Sequence, residues 1–418
     1  MPTRLLWCII FTVYVPMLQA HSGLLLDQAV KAALTNEPGL VSHQLEANAL
    51  KEEQVAANTL PDPMVSIGAI NVPDDTFDFD QENMTQLRFG VRQQFPRGNT
   101  LALQGDGLGI QSANQQVSAA LRKLEIKRAV RLAWFSSWGS QQAVQLLKND
   151  RYLFSQLIEL SESLYSVGRK TQQDIYQAKL VLSRHDNRII ELKKQQQSSL
   201  AMLARWLPNQ TVRRVANKLP HWSAVTRSID PLLLKHPMVE MSNKQIDLAD
   251  NKIALAKEAY KPQWGVELGY GLRQGDDATG NDRANFVSAM VTFDLPLFNE
   301  NKQDKTLAAN QIRRESATYQ REMLIRKMRS RYLLLQSQIT GINDSIALYQ
   351  HRLIPEANLQ AKAALESYQA DRIDFATVIQ AYISRLNVKL EMLKLKENRF
   401  KTLAQLRFFT EIPFANGS

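Results

Sequence analysis

Residues 86–95 read QLRFGVRQQF. Leu87, Phe89, Val91 and Phe95 share one face with Gln93, while Gln86, Arg88, Gly90, Arg92 and Gln94 occupy the other. Alternation sustained over such a run predicts a strand with one apolar and one polar side. Residues 263–272 repeat the pattern: Trp264, Val266, Leu268, Tyr270 and Leu272 alternate with Gln263, Gly265, Glu267, Gly269 and Gly271. In 286–295, Val287, Ala289, Val291, Phe293 and Leu295 face one way, and 63–71 is the least regular of the four segments. About ten such residues suit a tilted membrane-spanning strand whose polar side meets water. A sheet covering a soluble core is the competing reading. Arginine, glutamine, glutamate and glycine on the polar side favour a water-filled lumen, lined by Arg88, Arg92 and Glu267.

Each pair of strands is joined by a long polar loop, NVPDDTFDFDQE at 71–82 and RQGDDATGNDRAN at 273–285. Loops of this kind suit the outer side of a membrane barrel. Their aspartates lack the spacing of an EF-hand, so solvation explains them and no metal site is assigned. Met64, Met84 and Met290, on or beside the strands, read as packing residues rather than soft-metal ligands.

Outward from the strands the pattern turns helical. Residues 99–207 and 298–354 contain no proline, and apolar residues recur at three- and four-residue steps, as at Leu153, Leu157, Leu160 and Leu164. Turn signals at Ser166-Val167-Gly168 and Gln369-Ala370-Asp371 divide each long stretch into an antiparallel pair. One arm, 109–165, would extend roughly 85 Å at 1.5 Å per residue, which suits a coiled-coil wall better than a globular core. Opening helices are expected at 22–60 and 228–260. The run Gly105-Asp106-Gly107-Leu108-Gly109 lacks the lysine of a phosphate loop and reads as a flexible lead-in to a helix.

These segments occur twice, at a period of about 200 residues. ANTLPDPM at 57–64 aligns with AKEAYKPQ at 256–263, placing Pro63 on Pro262; further upstream, Pro38 falls on Pro237. Phe95-Pro96 with Asn99 falls on Leu295-Pro296 with Asn299. Leu164-Tyr165-Ser166-Val167-Gly168-Arg169 falls on Ser367-Tyr368-Gln369-Ala370-Asp371-Arg372, and Ile175, Gln177 and Ala178 fall on Val378, Gln380 and Ala381. The chain divides into a signal peptide (1–20), a first repeat (21–208, with β-hairpin 63–95 and helical hairpin 99–207) and a linker (209–227). A second repeat (228–412, with β-hairpin 263–295 and helical hairpin 302–410) and a tail (413–418) complete it.

Composition agrees with a helix-rich exported protein. Among 418 residues only 17 are glycine and 15 proline, too few for a loop-rich chain. Arg4, an apolar core at 5–15 and Leu18-Gln19-Ala20 form a secretory signal, with the mature chain starting near His21. The single cysteine, Cys8, lies inside that signal behind the large residues Leu6-Trp7, so lipidation is not expected. No disulfide or thiolate metal site is available to the mature chain. The net charge of +10 is spread over helical faces without a basic block interleaved with aromatics, which argues against nucleic acid. Six histidines stand in no HExxH or paired spacing, and no catalytic constellation is visible, so no enzymatic activity and no cofactor is expected.

Four strands cannot close a barrel, and open edges are not tolerated in lipid. The barrel must be shared among copies, and three copies would supply twelve strands under cyclic symmetry.

At this point the sequence resembles the TolC-type outer-membrane efflux proteins over essentially the whole mature chain. The resemblance is carried by Pro61-Asp62-Pro63-Met64, Gln94-Phe95-Pro96-Arg97-Gly98, Tyr165-Ser166-Val167-Gly168, Asp174-Ile175-Tyr176-Gln177-Ala178 and Leu353-Ile354-Pro355-Glu356-Ala357. It implies an α+β membrane protein: a trimeric β-barrel with four strands per subunit, continued by a long α-helical coiled-coil periplasmic tunnel, with an internal two-fold repeat. Implied partners are a homotrimer, a periplasmic adaptor (membrane fusion) protein, an inner-membrane RND transporter and outer-membrane lipid. Residues 61–98 look most like the branch serving heavy-metal pumps (copper/silver or cobalt–zinc–cadmium), which implies heavy-metal cations as cargo. A duct for drugs or type I secretion is the alternative within the family, and a periplasmic adaptor or coiled-coil scaffold is the alternative outside it.

Carried onto this chain, the periplasmic aperture of the family falls on Arg169, Asp174, Gln177, Arg372, Thr377 and Gln380. The tips that contact adaptor and pump fall on Val167, Gly168, Ala370 and Asp371. Asp174 matches the acidic position of the first repeat, whereas Thr377 and Gln380 stand where many relatives carry aspartates. That departure implies a gate that is asymmetric within each subunit.

Overall fold

Two prolines break what reads in the sequence as single opening helices. The computed structural model describes residues 23–35, 37–208, 211–223 and 228–411; the expected signal peptide and tail lie outside the described residues. The first opening segment forms α1 (Leu26–Leu34) and α2 (Pro38–Ala57), and the second forms α5 (Asp230–Leu234) and α6 (Pro237–Glu258). Proline has no N–H and its ring clashes with the carbonyl four residues back, so each proline starts a new helix at its first position. Both starts are capped. The Glu37 carboxylate accepts from the Leu40 N–H at 2.9 Å, and His236 Nδ1 accepts from the Met238 N–H at 3.2 Å.

The four strands form one antiparallel sheet in the order β1 (Met64–Ile70), β2 (Gln86–Phe95), β3 (Trp264–Leu272), β4 (Phe286–Phe293). β2 pairs with β3 from Leu87↔Leu272 to Phe95↔Trp264, and the last pair stacks its rings at 4.1 Å. Because side chains alternate, this register gathers Arg88, Gly90, Arg92, Glu267, Gly269 and Gly271 on one side of the sheet. The outer edges of β1 and β4 have no strand partner among the described residues.

The remaining helices are α3 (Thr100–Ser166), α4 (Gln172–Ala204), α7 (Gln303–Leu348), α8 (Ile354–Gln369) and α9 (Phe375–Thr410). Gly105, Gly107 and Gly109 lie within α3 rather than forming a flexible lead-in. Their missing side chains make room for neighbours. A Cβ on Gly105 would stand 2.6 Å from the Asn58 amide, and one on Gly107 would stand 2.9 Å from Asn251 Oδ1. Between α7 and α8 the residues Tyr349–Leu353 form a π-turn. Pro355 cannot donate to the preceding turn, and the wider turn accommodates that missing bond without breaking the rod.

The chain divides into two compact units. Among the described residues, one comprises 23–35, 129–208, 211–223 and Ile339–Ala404; the other comprises 37–128, 228–338 and 405–411. The first packs Leu147, Phe154, Leu157, Tyr368, Phe375, Val378 and Leu386 into one apolar cluster from α3, α8 and α9, with Ala178 and Ile189 from α4. The second contains the sheet, with Tyr332, His236, Phe408 and Phe409 in ring contact away from it. Burial lowers the pKa of His236. Since Nδ1 accepts, Nε2 carries the proton and donates to the Phe408 carbonyl at 3.0 Å.

Candidate functional site

The two turns share one backbone design. After α3, the Gly168 N–H donates to the Tyr165 carbonyl at 2.9 Å and the Arg169 N–H to the Leu164 carbonyl at 3.0 Å. After α8, the Asp371 N–H donates to the Tyr368 carbonyl at 3.1 Å and the Arg372 N–H to the Ser367 carbonyl at 2.9 Å. Both are Schellman caps, which need a left-handed residue, and Gly168 (φ 73°) and Asp371 (φ 57°) take that place. Glycine adopts it freely; an aspartate tolerates it.

Asp371 is held by the other turn. Arg169 Nε donates to its carboxylate at 3.0 Å, Arg169 Nη2 bonds both that carboxylate and the Gln369 carbonyl, and Lys170 Nζ lies 2.7 Å from its other oxygen. The Lys170 ammonium, then the Arg169 guanidinium, hold the Asp371 carboxyl below the usual carboxylate range. Lys170 also sits over the Tyr368 ring at 4.4 Å. Tyr368 is fully buried and donates its hydroxyl to Asp174 Oδ2 at 3.2 Å. Burial, then the Asp174 charge, pushes the Tyr368 hydroxyl pKa well above that of a free tyrosine.

The helices that follow begin with exchanged capping residues. Thr171 stands at the N-cap position of α4 without a side-chain bond to the helix backbone, its hydroxyl meeting Asp174 at 3.4 Å; Asp374 caps α9 and accepts from the Thr377 N–H at 3.0 Å and hydroxyl at 2.6 Å. Acid and hydroxyl have traded places between cap and third position, which is why Thr377 stands opposite Asp174 in the alignment. The bonds from Thr377 hold the Asp374 carboxyl below its ordinary pKa.

The structure therefore brings Arg169, Asp371 and Asp174 into one network with Lys170 and Tyr368. Arg372, Gln177 and Gln380 make no side-chain hydrogen bond or ion pair among the described residues, and Val167 is exposed while Ala370 acts through its backbone. The sequence reading missed Lys170 and Tyr368. The T-x-x-D run at 171–174 and the D-x-x-T run at 374–377 carried the capping signal.

On the sheet, Arg88 reaches diagonally to Glu267 at 3.0 Å, and Arg92 makes one long contact, 3.5 Å, to the Thr292 hydroxyl. Glycines diagonally across from them form a floor. A Cβ on Gly269 would stand 3.0 Å from Arg88 Nε, and one on Gly265 would stand 3.7 Å from Arg92 Nε. The reverse face exposes Val65, Ile67, Val91, Leu268, Val287, Val291 and Phe293. Among the described residues, no helix is long and apolar enough to cross a membrane, and no group of three or more His, Cys, Asp or Glu is placed to hold a metal ion.

A mainly helical chain carrying one small antiparallel sheet of this form has the fold of the TolC-type outer-membrane channels. Among solved structures, it superposes on CusC, described for the conformational changes of folding and transmembrane channel formation, with a TM-score of 0.78 at 15% identity, covering 92% of this chain and 91% of that one. The CmeC outer membrane channel of Campylobacter jejuni gives a TM-score of 0.74 at 13% identity, covering 92% and 85%. VceC, an outer membrane protein of Vibrio cholerae, gives 0.73 at 15% identity, covering 92% and 96%. No family model matches the chain, and no curated protein sequence matches it.

Proposed function

We propose that the chain is one third of an outer-membrane duct that passively conducts solute delivered by an inner-membrane RND pump and a periplasmic adaptor. The observation that carries this reading is the sheet. One face is exposed and apolar, the other is polar, and both edges lack a strand partner among the described residues. Exposed apolar strands are an aggregation hazard in water but fit lipid. Open edges do not fit lipid, so each must pair with a neighbouring copy, and a homotrimer closes twelve strands. The twofold element order and the exchanged caps support a duplicated repeat with the expected boundaries.

In this reading the turns carrying Val167, Gly168, Ala370 and Asp371 meet the adaptor or pump. Arg169, Asp174, Gln177, Arg372, Thr377 and Gln380 belong to the aperture, which opens when the hairpins separate. The protein lies in the bacterial outer membrane with its helices in the periplasm. A duct needs no metal-binding cluster to pass metal ions, so heavy-metal cargo is decided by what the pore conducts rather than by a ligand set.

Membrane fractionation with native mass measurement of the detergent-extracted protein tests the reading. A trimer in the outer-membrane fraction is expected. A monomer in the periplasmic fraction would point instead to an adaptor or scaffold.

A further inference from the structure

The polar face of the sheet is richer in positive charge than its pairs require. Arg88 and Glu267 neutralise one another at 3.0 Å. Arg92 stands opposite Glu267 in the strand register, but among the described residues it forms no ion pair, and its single side-chain hydrogen bond is the 3.5 Å contact to Thr292. It lines a groove of about 250 Å³ with Gln94, Gln263, Thr292 and Asp294, floored by Gly265. Asp294 does not offset Arg92, because its oxygens are taken by the Gln263 N–H at 2.6 Å and by Arg97. Just past the end of β3, at the first residue of the loop, Arg273 lies over the Phe286 ring at 4.3 Å and donates to the Ala284 carbonyl at 3.0 Å. Its Nε is buried without a hydrogen-bond partner.

Guanidinium groups keep their charge at any working pH, are weakly hydrated and present forked donors that match carboxylate, phosphate or sulfonate oxygens. Glu267 is thus shared between its cross-strand neighbour Arg92 and its ion-pair partner Arg88, so guanidinium outnumbers carboxylate there, with Arg273 adding another just past β3, on the side that, under the duct reading on which this step rests, lines water. Glycine at 265, 269 and 271 keeps the floor low, so these side chains lie along the wall and the groove beside Arg92 stays open.

We propose that the barrel lumen is anion-selective, with Arg92, Gln94, Gln263 and Thr292 forming a stepping site for an anionic group of the passing solute. Charge of one sign along a low-dielectric wall raises the local concentration of the opposite ion, and rings of such side chains set selectivity in pores. Three copies arrange the Arg92 and Arg273 side chains as two rings. The acidic loops oppose them: Asp74, Asp75, Asp78, Asp80 and Glu82 in one, Asp276, Asp277 and Asp282 in the other, against Arg283. Loop charges stand in open solvent, where salt screens them within a Debye length, about 10 Å at 0.1 M. The Arg92 ring lies against a confined low-dielectric wall, where the field is focused and screening is weaker.

The test is the reversal potential of the purified full chain in a planar bilayer across a potassium chloride gradient. The wild type is expected to favour chloride. Arg92→Gln is expected to lower the chloride-to-potassium permeability ratio about twofold or more, and Arg92→Lys to retain most of it. Potassium preference in the wild type, or a ratio unmoved by Arg92→Gln combined with Arg273→Gln, overturns the proposal while leaving the duct intact. Absence of any conductance refutes the duct, and the proposal with it.

Discussion

Arg169 Nε donates to the carboxylate of Asp371 at 3.0 Å, tying the turn after α3 to the turn after α8. The acceptor is a residue whose backbone sits at φ 57°, in the position that Gly168 fills in the companion turn. Holding an aspartate there is useful because no glycine offers a carboxylate. The pair is solvent-exposed, so its role lies in fixing one turn against the other rather than in adding much stability.

The Asp371 carboxyl is held below its free value of 3.8. A carboxylate with a lowered folded pKa contributes fully above the unfolded value and loses that contribution as pH falls through the folded one. Conductance in bilayers is therefore expected to be insensitive to this group from neutrality down to about pH 4 and to rise below it. Asp371→Asn, which keeps the tolerance for left-handed backbone, should raise conductance at neutral pH and abolish that acid-dependent rise.

Tyr368→Phe removes the hydroxyl that meets Asp174 at 3.2 Å and leaves the ring buried. A loss of about 1 kcal/mol in unfolding free energy is expected, against about 3–5 kcal/mol for Tyr368→Ala, by denaturant titration. Equal losses from both would show that the hydroxyl bond carries the whole effect and the buried ring adds nothing.

His236 gives a second pH dependence of opposite chemistry. It is buried neutral, with its pKa lowered from 6.5 by desolvation. The unfolded chain takes up a proton before the folded one does, so stability should fall as pH drops from 6.5 toward the folded value and then level off. Thermal midpoints between pH 7.5 and 5 should show this slope, and His236→Gln should flatten it.

Helical glycines separate by their surroundings. Gly341 in α7 has open space around a Cβ, so Gly341→Ala should stabilise by about 1 kcal/mol through helix propensity. At Gly107 the added carbon meets Asn251 Oδ1 at 2.9 Å, while Asn251 Nδ2 is bonded to the Leu103 carbonyl at 2.9 Å. Gly107→Ala should therefore destabilise by about 1 kcal/mol or more despite the better propensity.

Much of this architecture was legible from periodicity. Strand β2 falls on the residues where alternation placed it, because both of its faces have one task each. The breaks before Pro38 and Pro237 were legible as prolines but were read through, since the apolar pattern continues across them. Gly107 was misread because local sequence does not reveal that Asn251, far along the chain, needs the space. At the turns, alignment found Arg169 and Arg372 as equivalents. It could not say that only Arg169 has an acid in reach, because that acid is Asp371 on the other turn. Tyr165 and Tyr368 align too, yet only Tyr368 is buried.

The central claim is that copies of this chain form a pore whose turns restrain it. Single-channel recording of the purified protein in a planar bilayer tests it most directly, comparing the wild type with Arg169→Ala combined with Asp371→Asn. Discrete steps of low conductance for the wild type, and clearly larger steps for the double variant, are predicted. Silent membranes from folded protein would contradict the pore, and steps of equal size in both would contradict the restraint.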